Sequence, residues 1–354
     1  MRRPWLSFFA AAAALLVTAA PTLACGGLIG PNGAVNLLRT TTFAGYHDGV
    51  EHYVTSFEFA GGGGAFGSIT PLPGIPTDVV RGGDWTLQRL IRETDAVDDF
   101  ALRATAGGEA AADEAEVLLE TTIDALDITI LRGGGDEVGL WAKNHGFRLP
   151  PDAPEVLDFY ADRSPIFMAA AFDADAAAAR GQALGDGTPV HLTIPTDNPW
   201  VPLRILGLGK ADGELVEADV YLLTDIRPAL LPKAGAFAES DGLILDHSAA
   251  ATDLLLADLR SDVGMEWVPD EAWLTKVVVD LEAGALDFDL AIDASGAGKP
   301  SAIDAGYAPF GDDPAPQPPI ALYLLLAAIA AIAVPVLLSR SVGSGPRLPP
   351  LAGA

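Results

Sequence analysis

Any chemistry in this chain must come from five histidines, one cysteine, two glycine runs and a large stock of carboxylates. His47 and His52 flank the dipeptide Asp48-Gly49. If that dipeptide turns a two-residue hairpin, both imidazoles fall on one face as diagonal neighbours, roughly 7–8 Å apart. At that reach two imidazoles can share a metal, but a third ligand is needed and Asp48 is committed to the turn. His145 fits a helix C-terminus, where its charge suits the dipole. His191 and His247 show no partner at this level.

Gly133-Gly134-Gly135 follows a strand pattern and opens a helix pattern. Backbone N–H groups at such a start can hold an anionic ligand, with Arg132 assisting. The plainer reading is an ordinary helix start in which the Asp136 carboxylate competes for the same N–H groups. Gly62–Gly67 spells G-x-G-x-x-G, but Ser68–Pro76 after it is strand-like and proline-rich. A dinucleotide site needs a helix there, so a flexible loop is the better reading.

Gly-x-Ser-x-Gly is absent, and Ser68, Ser164 and Ser248 stand in loop or cap contexts. A Ser/His/Asp triad can still assemble from distant positions. The acidic pairs Asp173/Asp175, Asp287/Asp289 and Asp312/Asp313 lack the EF-hand spacing. In Leu286–Ile292 the aspartates alternate with Leu, Phe and Leu, the pattern of a half-buried strand with a solvated face. Trp200, Trp267 and Trp273 lie near prolines and allow a glycan-binding reading, with core packing as the simpler one. No catalytic residue and no cofactor is assigned.

The ends of the chain read as addresses. Arg2 and Arg3, an apolar stretch from about Phe8 to Ala20, and Thr22-Leu23-Ala24 make residues 1–24 a secretory signal peptide. Ile320–Leu338 is an apolar run of 19 residues with no charge between Asp313 and Arg340. Its eleven Leu, Ile and Val residues favour insertion by a sum on the order of −5 kcal/mol. Asp312 and Asp313 precede it, and Arg340 and Arg347 follow. The positive-inside rule then puts residues 25–308 outside the cell and 339–354 in the cytoplasm. Residues 309–319 form a proline-rich stalk. Cys25 would head the mature chain, where a bacterial lipoprotein carries its lipid. However, its lead departs from the usual Leu-(Ala/Ser)-(Gly/Ala), and a helix anchor makes a second one redundant. A free or intermolecular thiol is the alternative.

All 48 acidic residues and 17 of the 21 basic ones lie in residues 25–319, a net charge of −31. Nucleic acid is excluded as a partner, because its phosphates would be repelled. One cysteine cannot staple a mini-protein, and half the chain is hydrophobic, so residues 25–308 have the means to build a core.

The elements that would position these residues belong to an α+β fold, mostly antiparallel sheet with a few short helices. In the hairpin Ala34–Tyr46/Val50–Phe59, Arg39 faces Glu58, Thr40 faces Phe57, Phe43 faces Val54 and Leu38 faces Phe59. Strands are expected at Phe66–Thr70, Val117–Ile123, Leu126–Leu131, Ile166–Phe172, Val190–Ile194, Leu203–Leu208, Val216–Leu223, Leu274–Leu281 and Leu286–Ile292. Helices are expected at Trp85–Glu93 behind an Asp84 cap, and at Asp136–Asn144, stopped by Gly146. Two more fit Ala153–Asp162, with a capping box from Asp152 to Glu155, and Ala249–Arg260. Residues 95–116 are rich in Ala, Asp, Glu and Gly and mark a hinge that divides the domain or a surface excursion.

Four segments carry a resemblance. They are Cys25-Gly26-Gly27, Val50–Pro76, Leu126–Phe172 and Asn198–Ile205, the last reading NPWVPLRI. Together they resemble the bacterial family of secreted or membrane-anchored proteins called domain of unknown function 2330, over roughly residues 25–282. What the resemblance implies is an exported domain with no assigned activity. The expectation is therefore a single-pass cell-membrane protein whose outer part is a non-catalytic binding or structural module of the envelope. Its partners would be the bilayer, through the C-terminal helix, and an envelope or extracellular protein or glycan. The alternatives are an extracellular hydrolase and a metal-dependent adhesion or ligand-binding protein.

Overall fold

The computed structural model describes residues 27–30, 33–34, 40–58, 66–94, 115–181, 187–235 and 242–307. The expected signal peptide, Cys25, most of the 95–116 segment, and the expected stalk, membrane helix at 320–338 and tail lie outside these residues. Two short strands, β1 (Gly27–Gly30) and β2 (Gly33–Ala34), precede the expected hairpin of β3 (Thr40–His47) and β4 (Val50–Glu58). Its register is the one read from the sequence, with Phe43 opposite Val54 and His47 opposite Val50. Asp48 and Gly49 both have positive φ (50° and 78°), as a type I′ turn requires.

The next elements are β5 (Phe66–Pro71), β6 (Asp78–Arg81), α1 (Thr86–Thr94), β7 (Glu116–Ile123) and β8 (Leu126–Arg132). Then follow α2 (Gly135–Asn144), α3 (Ala153–Ala161), β9 (Ile166–Phe172), α4 (Ala174–Ala179), β10 (Gly187–Pro195) and β11 (Trp200–Val201). The chain closes with β12 (Leu215–Thr224), β13 (Ala229–Leu231), β14 (Leu243–Ala250), α5 (Asp253–Arg260), β15 (Trp273–Glu282) and β16 (Leu290–Asp293). They form sheets of order β2-β1-β5-β9-β8-β7, β14-β15-β12-β3-β4-β10-β6 and β11-β16-β13. The pairing is antiparallel throughout these ladders except between β12 and β3, which run parallel. The fold is thus α+β with mostly antiparallel sheets and few helices. No helix among the described residues is long and apolar enough to cross a membrane.

The seven-stranded sheet is covered on both faces. Alternation along its strands sends Ala44, Tyr53, Leu192, Val220 and Leu222 into a core shared with the six-stranded sheet and α2 and α3. Phe43, Val54, Tyr221, Leu223 and Leu274 enter a second core under α1 and α5, with Leu90, Leu255, Leu256 and Leu259. Leu87 and Ile91 pack at its edge.

Several local expectations change once these layers assemble. Asp84 does not cap α1; it pairs with Arg81, and Asp262 accepts from Trp85 N (3.2 Å) and Thr86 Oγ1 (2.7 Å) instead. The capping box on α3 does not form. Asp152 accepts from Gly209 N (2.8 Å) and Glu155 pairs with Arg204 (2.6 Å), so both carboxylates fasten α3 to the 204–209 turn. The expected helix Ala249–Arg260 is the end of β14 and then α5. Thr252 separates them, its hydroxyl accepting from Leu255 N at 3.2 Å. The last two residues of the supposed hinge, Ala115 and Glu116, belong to the folded body, with Glu116 starting β7.

The largest revision concerns Asp289, expected on a solvated strand face. Its side chain is wholly buried. Oδ1 accepts from Tyr160 Oη (2.8 Å), Leu203 N (2.7 Å) and Arg204 N (3.0 Å), and Oδ2 from Arg163 Nη2 (2.6 Å). Tyr160 Oη in turn accepts from Ile205 N at 2.8 Å. These bonds explain why Leu203–Leu208 is a turn, with 3-10 geometry at Arg204–Gly207, and not a strand. Its N–H groups are satisfied by side chains, not by a neighbouring strand. Burial pushes the Asp289 carboxyl's pKa up, and the Arg163 guanidinium and the two backbone N–H groups act against that rise. Arg163 also lies 4.0 Å over the Phe159 ring and donates to Asp304 O at 2.6 Å.

Asp289→Ala strands the buried Arg163 charge and should cost about 3–5 kcal/mol in urea unfolding of the full-length chain. Replacing the pair together, Asp289→Leu with Arg163→Met, should recover only the part owed to the stranded charge, because Tyr160 Oη, Leu203 N and Arg204 N still lose their acceptor. A single-variant loss below about 1 kcal/mol would remove Asp289 from this role.

Candidate functional site

The ends of β3, β4, β6 and β10 meet the segment Ser261–Pro269 at a histidine pair. On β10, Val190, Leu192 and Ile194 enter the larger core, so His191 points to the opposite face. On β4, Tyr53 enters the same core and His52 points away from it. The ladder sets His191 opposite Val54 and Thr193 opposite His52, which makes the two histidines diagonal neighbours. His52 Nδ1 and His191 Nε2 are 3.0 Å apart, a hydrogen bond that holds one proton between two rings. The residues are 9% and 4% exposed.

Trp267 roofs the pair. Its indole stacks on the His52 ring at 3.9 Å with 1° between the planes. This close approach is possible because residue 45, opposite His52 on β3, is glycine: a Cβ there would stand 2.1 Å from the indole. Gly264, with φ of 78°, brings the same segment over His191 Nδ1, which has no hydrogen-bond partner. Asp262 anchors the segment to the start of α1 through the bonds described above.

Burial drives both imidazoles down, His52 to about 3 and His191 to about 4. The charges of His191 and His47 push His52 further down, whereas Asp78 and Glu266 partly restore His191. On the other face of β4 the neighbouring Glu51 is also wholly buried, and neither carboxyl oxygen makes a hydrogen bond. Burial raises it to about 8, with the Trp200 backbone acting weakly in the opposite sense. At neutral pH a protonated carboxyl and a neutral imidazole therefore occupy adjacent positions of β4, and the second neutral imidazole lies beside them on β10.

The residues singled out from the sequence are distributed as follows. His47 lies on the same hairpin, but its Nδ1 is bonded to Asp225 Oδ1 at 2.7 Å and its Nε2 is 3.4 Å from Asp48. Its partner is thus a carboxylate, and the partner of His52 is His191. No three His, Cys, Asp or Glu side chains gather as a metal site requires among the described residues. Arg132 pairs with Glu116 at 3.0 Å. Gly133 N donates to Pro165 O, and Gly135 N donates to Asp158 Oδ1 at 3.0 Å. Helix α2 is capped at Gly134, not Asp136, and the carboxylate at its start comes from α3. His145 does end α2, stacked on Trp141 at 3.9 Å. Gly67 belongs to β5 and no helix follows, which removes the dinucleotide reading. Ser68, given a loop or cap context as a serine but lying within the expected strand Phe66–Thr70, is in β5. Trp200 is buried in the larger core, as the plainer reading had it. Sequence reasoning missed His191, Trp267 and Asp262, since their partners lie more than a hundred residues away.

Antiparallel sheets wrapped by short helices define the class, and sequence comparison then gives the family. A family model described as "Uncharacterized protein conserved in bacteria (DUF2330)" matches residues 19–291. The chain belongs to that family. A search of curated proteins finds no match. The solved structures similar to this chain include two of a baculovirus protein. Baculovirus P35 aligns with a TM-score of 0.36 at 11% identity, over 73% of this chain and 96% of that one. A mutated baculovirus P35 after caspase cleavage aligns with a TM-score of 0.36 at 9% identity, over 72% and 99%. Likeness at that level carries no argument here.

The buried groups predict a pH profile of stability. Unfolded, the imidazoles return to about 6.5 and Glu51 to about 4.5. Between about pH 4 and 6.5 the unfolded chain binds more protons at the two imidazoles, so their contribution to stability is lost as pH falls. Between about pH 4.5 and 8 the folded chain keeps the extra proton of Glu51, so that contribution is lost as pH rises. Stability should peak near pH 6.5 and fall by on the order of 1 kcal/mol per pH unit on either side. Urea unfolding from about pH 5 to 8 reads this directly, and Glu51→Gln should flatten the alkaline limb. An alkaline limb unchanged by that substitution would contradict the assignment.

Proposed function

We propose that this protein is exported and anchored in the cell membrane by one C-terminal helix, with its folded body outside as a non-catalytic binding or structural module of the envelope. The observation that carries the reading is the pair of apolar runs and the charges that orient them. Arg2 and Arg3 lead the first run, and Arg340 and Arg347 follow the second. Between the runs lies a body of net charge −31. Such a body stays soluble and repels anionic surfaces, which suits a domain held away from the bilayer by Pro309–Pro319. The partner would be an envelope or extracellular protein or a glycan.

The hydrolase reading has one point in its favour. Asp225 orients the His47 imidazole through Nδ1, as an acid orients a general base. The other ring nitrogen, however, faces Asp48 and not a hydroxyl or thiol. The binding-module reading is therefore preferred.

Protease added to intact cells carrying a C-terminally tagged chain is the test. The body should be released by cleavage in the stalk, while the tag stays with the membrane fraction, protected until the cells are lysed. A chain found wholly in the soluble fraction, or a tag digested from outside, would contradict the proposed topology.

A further inference from the structure

The histidine pair has a property that a stable module does not need. The bond between His52 Nδ1 and His191 Nε2 exists only while a single proton lies between the two nitrogens. One additional proton leaves the bond intact but places a cation in a dry site, where His191 Nδ1 has no acceptor to donate to. A second puts N–H groups on both facing nitrogens. The contact then becomes a repulsion between like charges 3.0 Å apart.

The structure also shows which side must give way. Strands β4 and β10 are joined by an unbroken ladder from Gly187–Glu58 to Pro195–Val50, so the rings cannot part by moving the sheet. The cover is held more lightly. Segment Ser261–Pro269 has no strand or helix of its own. It is fixed by Asp262 at one end, by the stack of Trp267 on His52, and by Met265 and Val268 in the smaller core. Val263 at its crest is 67% exposed.

We infer that the His52–His191 pair is an acid-operated latch, and that its protonation lifts Ser261–Pro269 off the sheet to expose Trp267 and the apolar surface beneath it. The charged groups around the pair set the direction of the response. Asp78 on β6 and Glu266 on the segment draw protons toward His191, and His47 on β3, held by Asp225, opposes charge on His52. The Asp262 carboxylate is turned away to Trp85 and Thr86, and so does not neutralise the pair. Charge on the rings is relieved by admitting water, which lifting the segment does. This inference does not depend on the proposed topology, since it concerns the folded body alone.

Amide hydrogen exchange on the purified full-length chain at pH 7 and about pH 5, corrected for intrinsic rates, tests the latch. Each imidazole freed to titrate should weaken closure by about tenfold per pH unit below its ordinary value. Protection in residues 261–268 should therefore fall by about tenfold or more at the lower pH, while β4 and β10 keep theirs. In the double variant His52→Gln with His191→Gln, two amides can still bond but cannot titrate, and the segment should stay protected at both pH values. Unchanged protection in the wild-type chain would overturn the latch. So would loss in step with β4 and β10, or equal loss in the double variant. If that variant does not fold, the wild-type comparison of the segment with β4 and β10 decides alone.

Discussion

The seven-stranded sheet has no wet face over most of its length, and that constraint governs the rest. A charged or polar side chain on a central strand must find a partner within the layers or give up its charge. Lys276 on β15 finds Asp246 at 3.2 Å and Asp219 at 3.7 Å, and its amine also lies near the Tyr221 ring. His52 and His191 find each other and stay neutral. Glu51 bonds with nothing and keeps its proton. One cause, desolvation, gives opposite outcomes for base and acid: it lowers the imidazoles and raises the carboxyl.

The Asp289 network solves the same problem by the other route. A carboxylate is buried outright and four donors from two separate segments converge on it. These segments, Leu126–Phe172 and Asn198–Ile205, are two of the four on which the family resemblance rests. They meet in space through Tyr160, Arg163, Glu155 and Arg204. The shared sequence pattern in these stretches therefore has a structural use in this chain: it holds α3, the 204–209 turn and the approach to β16 in one arrangement. Trp200, between two prolines, stacks at 5.9 Å on Tyr160 as part of that packing.

Local chemistry was legible in the sequence, and long-range pairing was not. Asp48-Gly49 determines its own turn and register, because two left-handed residues in a row leave the flanking strands one way to pair. Ile166–Phe172 read correctly, since an unbroken apolar run of that length suits a strand buried on both faces, and the β12 and β15 segments did so on their clusters of valine, leucine and tyrosine, which favour strands. The capping signals failed at α3 because Asp152 and Glu155 had better partners across the fold, and at α1 because Asp84 pairs with nearby Arg81 while the distant Asp262 takes the helix start. Leu286–Ile292 misled for the same reason: alternation predicts an exposed Asp289, and only the position of Arg163, 126 residues earlier, reverses it. The histidine pair was out of reach, because His191 is 139 residues from His52 and no motif links them. His52 stood out beside His47 because those two are near in sequence, whereas its bonded partner lies across the neighbouring strand.

The claim beneath all of this is that the interior on both sides of β4 is dry enough to decide protonation. Glu51 tests it most directly, since burial is the largest cause of its shift and only the Trp200 backbone acts against it. Infrared difference spectra between the wild-type chain and Glu51→Gln, recorded across pH, would show the carboxyl band of that one residue. The account predicts a protonated carboxylic acid at pH 7, titrating at about 8. An ionised Glu51 at pH 7, with a midpoint near the ordinary 4.5, would contradict it.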